Sequence, residues 1–212
     1  MKKTENGMDN FETGLPRQGE EGEQRVPGSE LYEWARSLVA AVLIIVLVFT
    51  FVIRLMAVLG PSMRQTLQDG DRLLVLDSLL VGEYRRGDIV IARKQSFSSD
   101  PIVKRIIAVG GQTVDIDFNA GVVYVDGEAL NEDYINDLTY TFEGTEFPLT
   151  VPEGSVFLMG DNRNMSSDSR DSRIGTVDTR YLIGKAVFLA FPGPDSITGK
   201  RDFGRIGALS KG

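Results

Sequence analysis

Ser62 lies in the run Gly60-Pro61-Ser62-Met63-Arg64-Gln65-Thr66-Leu67, directly after a long apolar stretch, and is the candidate nucleophile. A serine hydroxyl is unreactive at neutral pH and needs a base within hydrogen-bond reach. The chain has 212 residues with no histidine and no cysteine. That excludes a Ser-His-Asp triad, a thiol nucleophile, a Cys-ligated zinc and any disulfide. The base must come from Lys, Asp or Glu, and a Ser-Lys pair is one known solution.

Among the lysines, Lys104 stands apart. It sits in Pro101-Ile-Val-Lys-Arg-Ile-Ile-Ala-Val109, a strand candidate whose alternation places it on one face with Ile102, Ile106 and Ala108. Stripped of water there, its ammonium would lose protons more readily, since burial disfavours the charged form. A lysine at its ordinary pKa of ~10.4 is neutral in only about one molecule in two thousand at pH 7, and a fall of ~2 units raises that about a hundredfold. The strand alone admits two readings, a desolvated base or a lysine reaching into water from an edge strand. Arg105 carries the same ambiguity on the opposite face.

The elements that must position these groups follow from the chain in order. The net charge of −7 argues against nucleic acid as a partner, because phosphate-neutralising proteins present a basic face. With 42% hydrophobic residues the chain has material for one medium-sized core. Residues 1–34 read as a disordered tail, polar and rich in Gly and Glu (Glu20-Glu21-Gly22-Glu23), with too little apolar surface to offset the entropy of ordering. Residues 35–59 read as a transmembrane anchor; from Ser37 to Leu59 the run carries a single charge, Arg54, which would snorkel to an interface, and roughly 20 such residues span a ~30 Å hydrocarbon core. A cleaved leader is disfavoured, because the run starts far from Met1, exceeds an ordinary leader core and lacks a small-x-small cleavage pattern. Arg25 and Arg36, ahead of the apolar run that begins at Ser37, place the amino terminus in the cytoplasm and the rest of the chain outside.

Residues 60–194 alternate as short strands. Candidates are Arg72–Leu76, Ile89–Arg93, Pro101–Val109, Val114–Phe118, Val122–Val125 leading into the hairpin signal Asp126-Gly127, Gly154–Met159 and Lys185–Phe191. The expected fold is mainly β, a single N-terminal transmembrane helix followed by an antiparallel β domain. Residues 195–212 read as a frayed, solvated tail.

Four ordered blocks resemble the type I signal peptidases in the short form of Gram-positive bacteria. They are Gly60-Pro-Ser62-Met63 with Thr66-Leu67, Gly87-Asp88-Ile-Val, Val103-Lys104-Arg105, and Gly160-Asp-Asn-Arg163-Asn-Met-Ser166-Ser-Asp168-Ser-Arg170. The resemblance implies a membrane-bound serine endopeptidase that removes signal peptides from secretory preproteins without metal or organic cofactor. It implies Ser62 as nucleophile, Lys104 as general base, Met63 as the residue following the nucleophile, and Ser166, Asp168 and Arg170 as the polar block behind the lysine. A hydroxyl there would hold the ammonium, and the Asp-Arg pair would fix the loop.

Ser62 N–H would serve the oxyanion; Gly60 stands where some members place a second hydroxyl donor. Two departures concern loop geometry rather than chemistry: Gln65 stands where the family commonly has Pro, and Gly110-Gly111-Gln112 where it commonly has Pro-Gly-Asp. Two other classes of function are a non-catalytic membrane-anchored β binding module and a self-cleaving Ser-Lys regulator. The second would need a DNA-binding amino-terminal domain where this chain carries a short acidic tail and an apolar run.

Overall fold

The computed structural model describes residues 29–94, 100–195 and 198–209. The expected tail over residues 1–28, and the last three residues of the chain, lie outside them. One α-helix, α1 (Ser29–Phe51), opens the described chain. Twelve strands follow: β1 (Ile53–Ala57), β2 (Arg72–Asp77), β3 (Ile89–Ala92), β4 (Ile102–Val109), β5 (Thr113–Asp117), β6 (Val122–Val125), β7 (Glu128–Ala129), β8 (Leu149–Thr150), β9 (Ser155–Met159), β10 (Val177–Asp178), β11 (Leu182–Phe191) and β12 (Gly207–Ala208). The described chain beyond the helix is mainly β, as expected, and its strand pairings are antiparallel.

The apolar run is where helix and strand part company with the sequence reading. Helix α1 begins at Ser29, ahead of the expected boundary, and ends at Phe51 rather than near residue 59. Residues 53–57 instead form β1, which pairs with β2 from Ile53 opposite Leu76 to Ala57 opposite Arg72. A continuously apolar stretch has no period with which to mark such a switch, so tertiary pairing decides it. Arg54, expected to snorkel, lies 2.6 Å from the Asp77 carboxylate across that pair. Glu30–Phe51 is long and apolar enough to cross a membrane, with a mean hydropathy of 2.3.

The larger sheet runs β1-β2-β11-β3-β4-β9-β10, with β12 on β11, and the smaller runs β7-β6-β5-β8. Strand β4 is central, paired on both sides by β3 and β9, which settles the ambiguity over Lys104 and Arg105: neither is on an edge. Val90 lies opposite Lys104 and packs with Ile106, Leu158 and Leu182 in one buried cluster. The expectation that Ala108 shares this face fails. A bulge between Ile106 and Ala108 shifts the register against β9, so Ala108 packs instead with Ile107, Phe157 and Val114 of the second sheet. A bulge inserts one residue and so reverses the alternation beyond it.

A third cluster joins Met63 and Leu67 to Leu73, Val75, Ile91 and Leu189, so the segment between β1 and β2 is pinned to the core from within. Of residues 195–212, expected to fray, 203–209 return to the fold: β12 pairs with β11, placing Ala208 opposite Phe188, and Leu209 packs on the third cluster.

Candidate active site

The turn that carries Ser62 is closed at its base by backbone bonds, Val58 N–H to Asp71 O at 2.8 Å and Gly70 N–H to Val58 O at 2.9 Å. Met63 and Leu67 are fully buried. They anchor the turn by burial, ~1.5–3 kcal/mol each for side chains of this size, while Ser62 stays partly exposed. Gln65, where the resemblance leads one to expect Pro, has φ +99°. A proline ring fixes φ near −65°, so this turn takes a path that Pro could not follow.

Lys104 Nζ lies 2.7 Å from Ser62 Oγ. Lys104 is 3% exposed, and burial drives its pKa down from the ordinary value to about 8 against the opposing pull of the Asp168 and Glu143 carboxylates. A Lys that is a tenth neutral at pH 7 and hydrogen-bonded to a solvent-reachable hydroxyl can take that hydroxyl's proton.

Arg105, beside it on β4, is also buried. Its Nε and one terminal nitrogen reach the two Asp161 oxygens at 2.8 and 2.7 Å. Its other terminal nitrogen donates to Gly87 O at 2.9 Å, and its guanidinium stacks over Tyr134 at 4.0 Å from the ring centroid. Asp161 also accepts from Thr66 Oγ1 at 2.5 Å. The turn bearing Ser62 and the strand bearing Lys104 are thus tied to one carboxylate, and bidentate pairing fixes orientation as well as distance.

The loop from Gly160 to Arg170 docks beneath the dyad. Asn162 N–H donates to Ser62 O, and Asn162 Nδ2 to Pro61 O, both at 3.0 Å. Asp168 is fully buried and accepts from Gly160 N–H at 2.9 Å, Ser166 Oγ at 2.8 Å, and Arg170 Nε and Nη2 at 2.9 Å each. The Ser166 hydroxyl donates to this carboxylate; the resemblance implied that it would hold the ammonium. Arg170 further donates to the carbonyls of Arg163 at 2.6 Å and Thr141 at 3.1 Å. The five sequence-chosen groups besides the dyad divide accordingly: Met63 anchors the turn, Arg105 the strand, and Ser166, Asp168 and Arg170 the loop.

Sequence reasoning missed Glu143, whose carboxylate lies 3.5 Å from Arg170. Burial and the nearby Asp168 charge push its pKa up to about 7. It missed Asp161 as the hub for Arg105, although the residue lies inside a quoted block. It also missed Glu132, which pairs with the buried Arg163, and Thr139, which accepts from that arginine at 2.9 Å. Glu132, Thr139 and Glu143 lie in an aperiodic stretch with nothing to flag them.

Gly160 leaves no room for a side chain. A Cβ there would stand 2.3 Å from Ser166 Oγ and 2.4 Å from Ser62 O. Gly160→Ala is therefore expected to push the nucleophile turn away from the loop, lowering stability by about 1–3 kcal/mol and activity by at least ~10-fold. Denaturant unfolding together with a peptide-cleavage assay checks both; unchanged activity would show that this contact does not set the position of Ser62.

The chain is similar to known proteins of one family. The family model described as "Signal peptidase, peptidase S26" matches residues 31–191. Signal peptidase I of Bacillus licheniformis is 36% identical over 172 residues, covering 77% of this chain and 90% of the relative. Signal peptidase I T of Bacillus subtilis (strain 168) is 36% identical over 168 residues, covering 76% and 85%. Signal peptidase IB of Staphylococcus aureus is 31% identical over 179 residues, covering 77% and 91%. The crystal structure of a signal peptidase I from Enterococcus faecalis V583 superposes with a TM-score of 0.41 at 32% identity, covering 50% of this chain and 97% of that one.

Proposed function

This chain belongs to the signal peptidase family, peptidase S26, and from that premise we propose that it removes signal peptides from secreted preproteins with Ser62 as nucleophile and Lys104 as general base. The observation that carries the reading is the 2.7 Å contact between Lys104 Nζ and Ser62 Oγ, made by a lysine that is only 3% exposed.

Neutral Lys104 takes the Ser62 proton as Oγ attacks the scissile carbonyl. The tetrahedral oxyanion is met by Ser62 N–H, a donor available whatever side chains surround it. The protonated lysine gives its proton to the departing amine, which leaves as the mature chain's amino terminus, and the signal peptide remains as an ester on Ser62. Lys104, neutral again, accepts a proton from water that attacks the ester; the carboxylate product departs and Ser62 recovers its proton. Met63 and Arg105 do no chemistry in this scheme. Each holds one partner of the dyad, as Ser166, Asp168 and Arg170 hold the loop beneath it.

Glu30–Phe51, at ~1.5 Å per residue, is about the length of a hydrocarbon core. In this reading it anchors the protein to the cell membrane as a single span, with the amino terminus cytoplasmic and the catalytic part outside. A substrate's own apolar leader then delivers its cleavage site to the same membrane, and shared tethering raises the effective concentration of one for the other. The family suggests small residues before the cut, as in Ala-x-Ala.

The test is cleavage of an Ala-x-Ala signal peptide by detergent-solubilised protein from pH 6 to 10. Only neutral Lys104 is competent, so kcat/KM should rise tenfold per pH unit and level off near pH 8, where the lysine loses its proton. A profile flat down to pH 6 would rule out a lysine base, and an intact peptide at every pH would sink the functional reading.

A further inference from the structure

The family match ends at residue 191, yet the residues beyond it return to the turn that carries Ser62. Gly193 N–H donates to Asp71 Oδ1 at 2.6 Å, and a Cβ on Gly193 would meet Asp69 O at 2.1 Å, so the chain there lies flat against the base of the turn. Arg201 donates to Pro192 O at 2.6 Å and covers the Phe191 ring at 4.9 Å from its centroid. Phe191 in turn meets Phe203 edge to face at 5.6 Å.

These contacts deliver Arg205. Its guanidinium reaches both oxygens of the fully buried Asp71, at 3.1 and 2.7 Å, and donates to Thr66 O at 3.3 Å. Asp71 meanwhile accepts from Gln68 N–H at 2.7 Å, and Thr66 reaches through its hydroxyl to Asp161, the carboxylate that holds Arg105 beside the base.

We infer that Arg205 is a positioning residue for the reaction: it clasps the turn bearing Ser62 through Asp71 and the Thr66 carbonyl, and the segment after Pro192 exists in this chain to bring it there. The inference rests on the proposed function, since what is positioned is the nucleophile. Asp71 is buried and would be left with an unpaired charge without the arginine, and a bidentate guanidinium fixes geometry as a bulky apolar contact does not. Small displacements of a nucleophile cost rate steeply, up to ~10²-fold per ångström.

The experiment compares wild type, Arg205→Ala and Arg205→Lys as full-length protein in detergent, by steady-state cleavage of an Ala-x-Ala peptide and by amide hydrogen exchange. Arg205→Ala should lower kcat about tenfold with KM within about twofold and the pH 8 limb in place. Exchange should quicken at Leu67, Gln68 and Gly70 while β4 and β9 keep their protection. Arg205→Lys, which retains the charge on Asp71, should recover most of the rate. Wild-type kcat in Arg205→Ala would overturn the inference, as would exchange that quickens equally in β4 and β9 with no rescue by Lys. Wild type that leaves the peptide intact would count against the functional reading, and the exchange comparison would then decide the clasp alone.

Discussion

Lys104→Met is expected to lower kcat/KM on a signal peptide by about 10⁴-fold and, at pH 7, to raise the thermal midpoint. The first effect follows from removing the base that contacts Ser62 Oγ; general bases contribute roughly 10²–10⁴-fold, and members of a nucleophile–base unit fail together. The second follows from the sign of the lysine's shift. Its pKa is about 8 in the folded chain against an ordinary value of 10.5, so the folded state holds the proton less tightly than the unfolded state. Below pH 8 both states are protonated and the fold carries the full cost of the buried ammonium. Stability then grows as pH rises from 8 to 10.5, where the unfolded state binds more protons. Methionine removes the charge at similar volume, for a gain at pH 7 of at most roughly 3 kcal/mol. That gain should shrink to nothing by pH 11. Thermal or denaturant unfolding of both proteins across pH 7 to 11 checks it; destabilisation at pH 7 would show that the lysine is not buried as a charge.

Asp168→Asn should have the opposite effect on stability. Asp168 is the nearer counter-charge of the buried Arg170, at 2.9 Å against 3.5 Å for Glu143; breaking one partner of a buried pair costs about 3–5 kcal/mol, and the remaining Glu143 carboxylate puts the expected loss toward the lower figure. The amide also cannot accept from Gly160 N–H, Ser166 and Arg170 together as the carboxylate does. What activity survives should show a shifted profile. Asp168 is the strongest of the charges that hold the Lys104 pKa up, so its loss lowers that pKa further and moves the acid limb below pH 8. An unfolding midpoint within experimental error of wild type, or a limb displaced upward, would contradict this account of the loop. In contrast, a substitution that merely loosened the loop would cost stability without moving the limb.

The proposed Ser62–Lys104 pair was legible in part because the composition is restrictive. With histidine and cysteine absent few bases remained, strand alternation marked Lys104 as a lysine that could be desolvated, and the resemblance carried by the four ordered blocks made the choice. The strand alone could not say whether Lys104 was central or at an edge, since that depends on β3 and β9 pairing from either side. Alternation also fails at a bulge, so Ala108 was placed on the wrong face. The change from helix to strand after Phe51 left no trace in a run whose one charge, Arg54, reads equally well at the end of a helix. Strands β7, β8, β10 and β12, two residues each, are too short to show a period and exist only through their partners.

The supporting carboxylates divide the same way. Asp168 sits two residues from Arg170 and could be read as its partner. Glu143 and Glu132 meet Arg170 and Arg163 across more than twenty residues, and Arg205 meets Asp71 across 134. Such pairs are products of topology, and one sequence offers no signal for them.

The most direct test of the Ser62–Lys104 assignment is to trap the acyl-enzyme. Wild type, Ser62→Ala and Lys104→Met, each incubated with an activated ester of an Ala-x-Ala peptide at pH 8 and quenched in acid, are read by intact mass and peptide mapping. The expected result is one acyl group on the peptide containing Ser62 in wild type, none in Ser62→Ala, and labelling slowed by orders of magnitude in Lys104→Met. Acylation of another residue, or equal labelling with Ser62 removed, would contradict the mechanism.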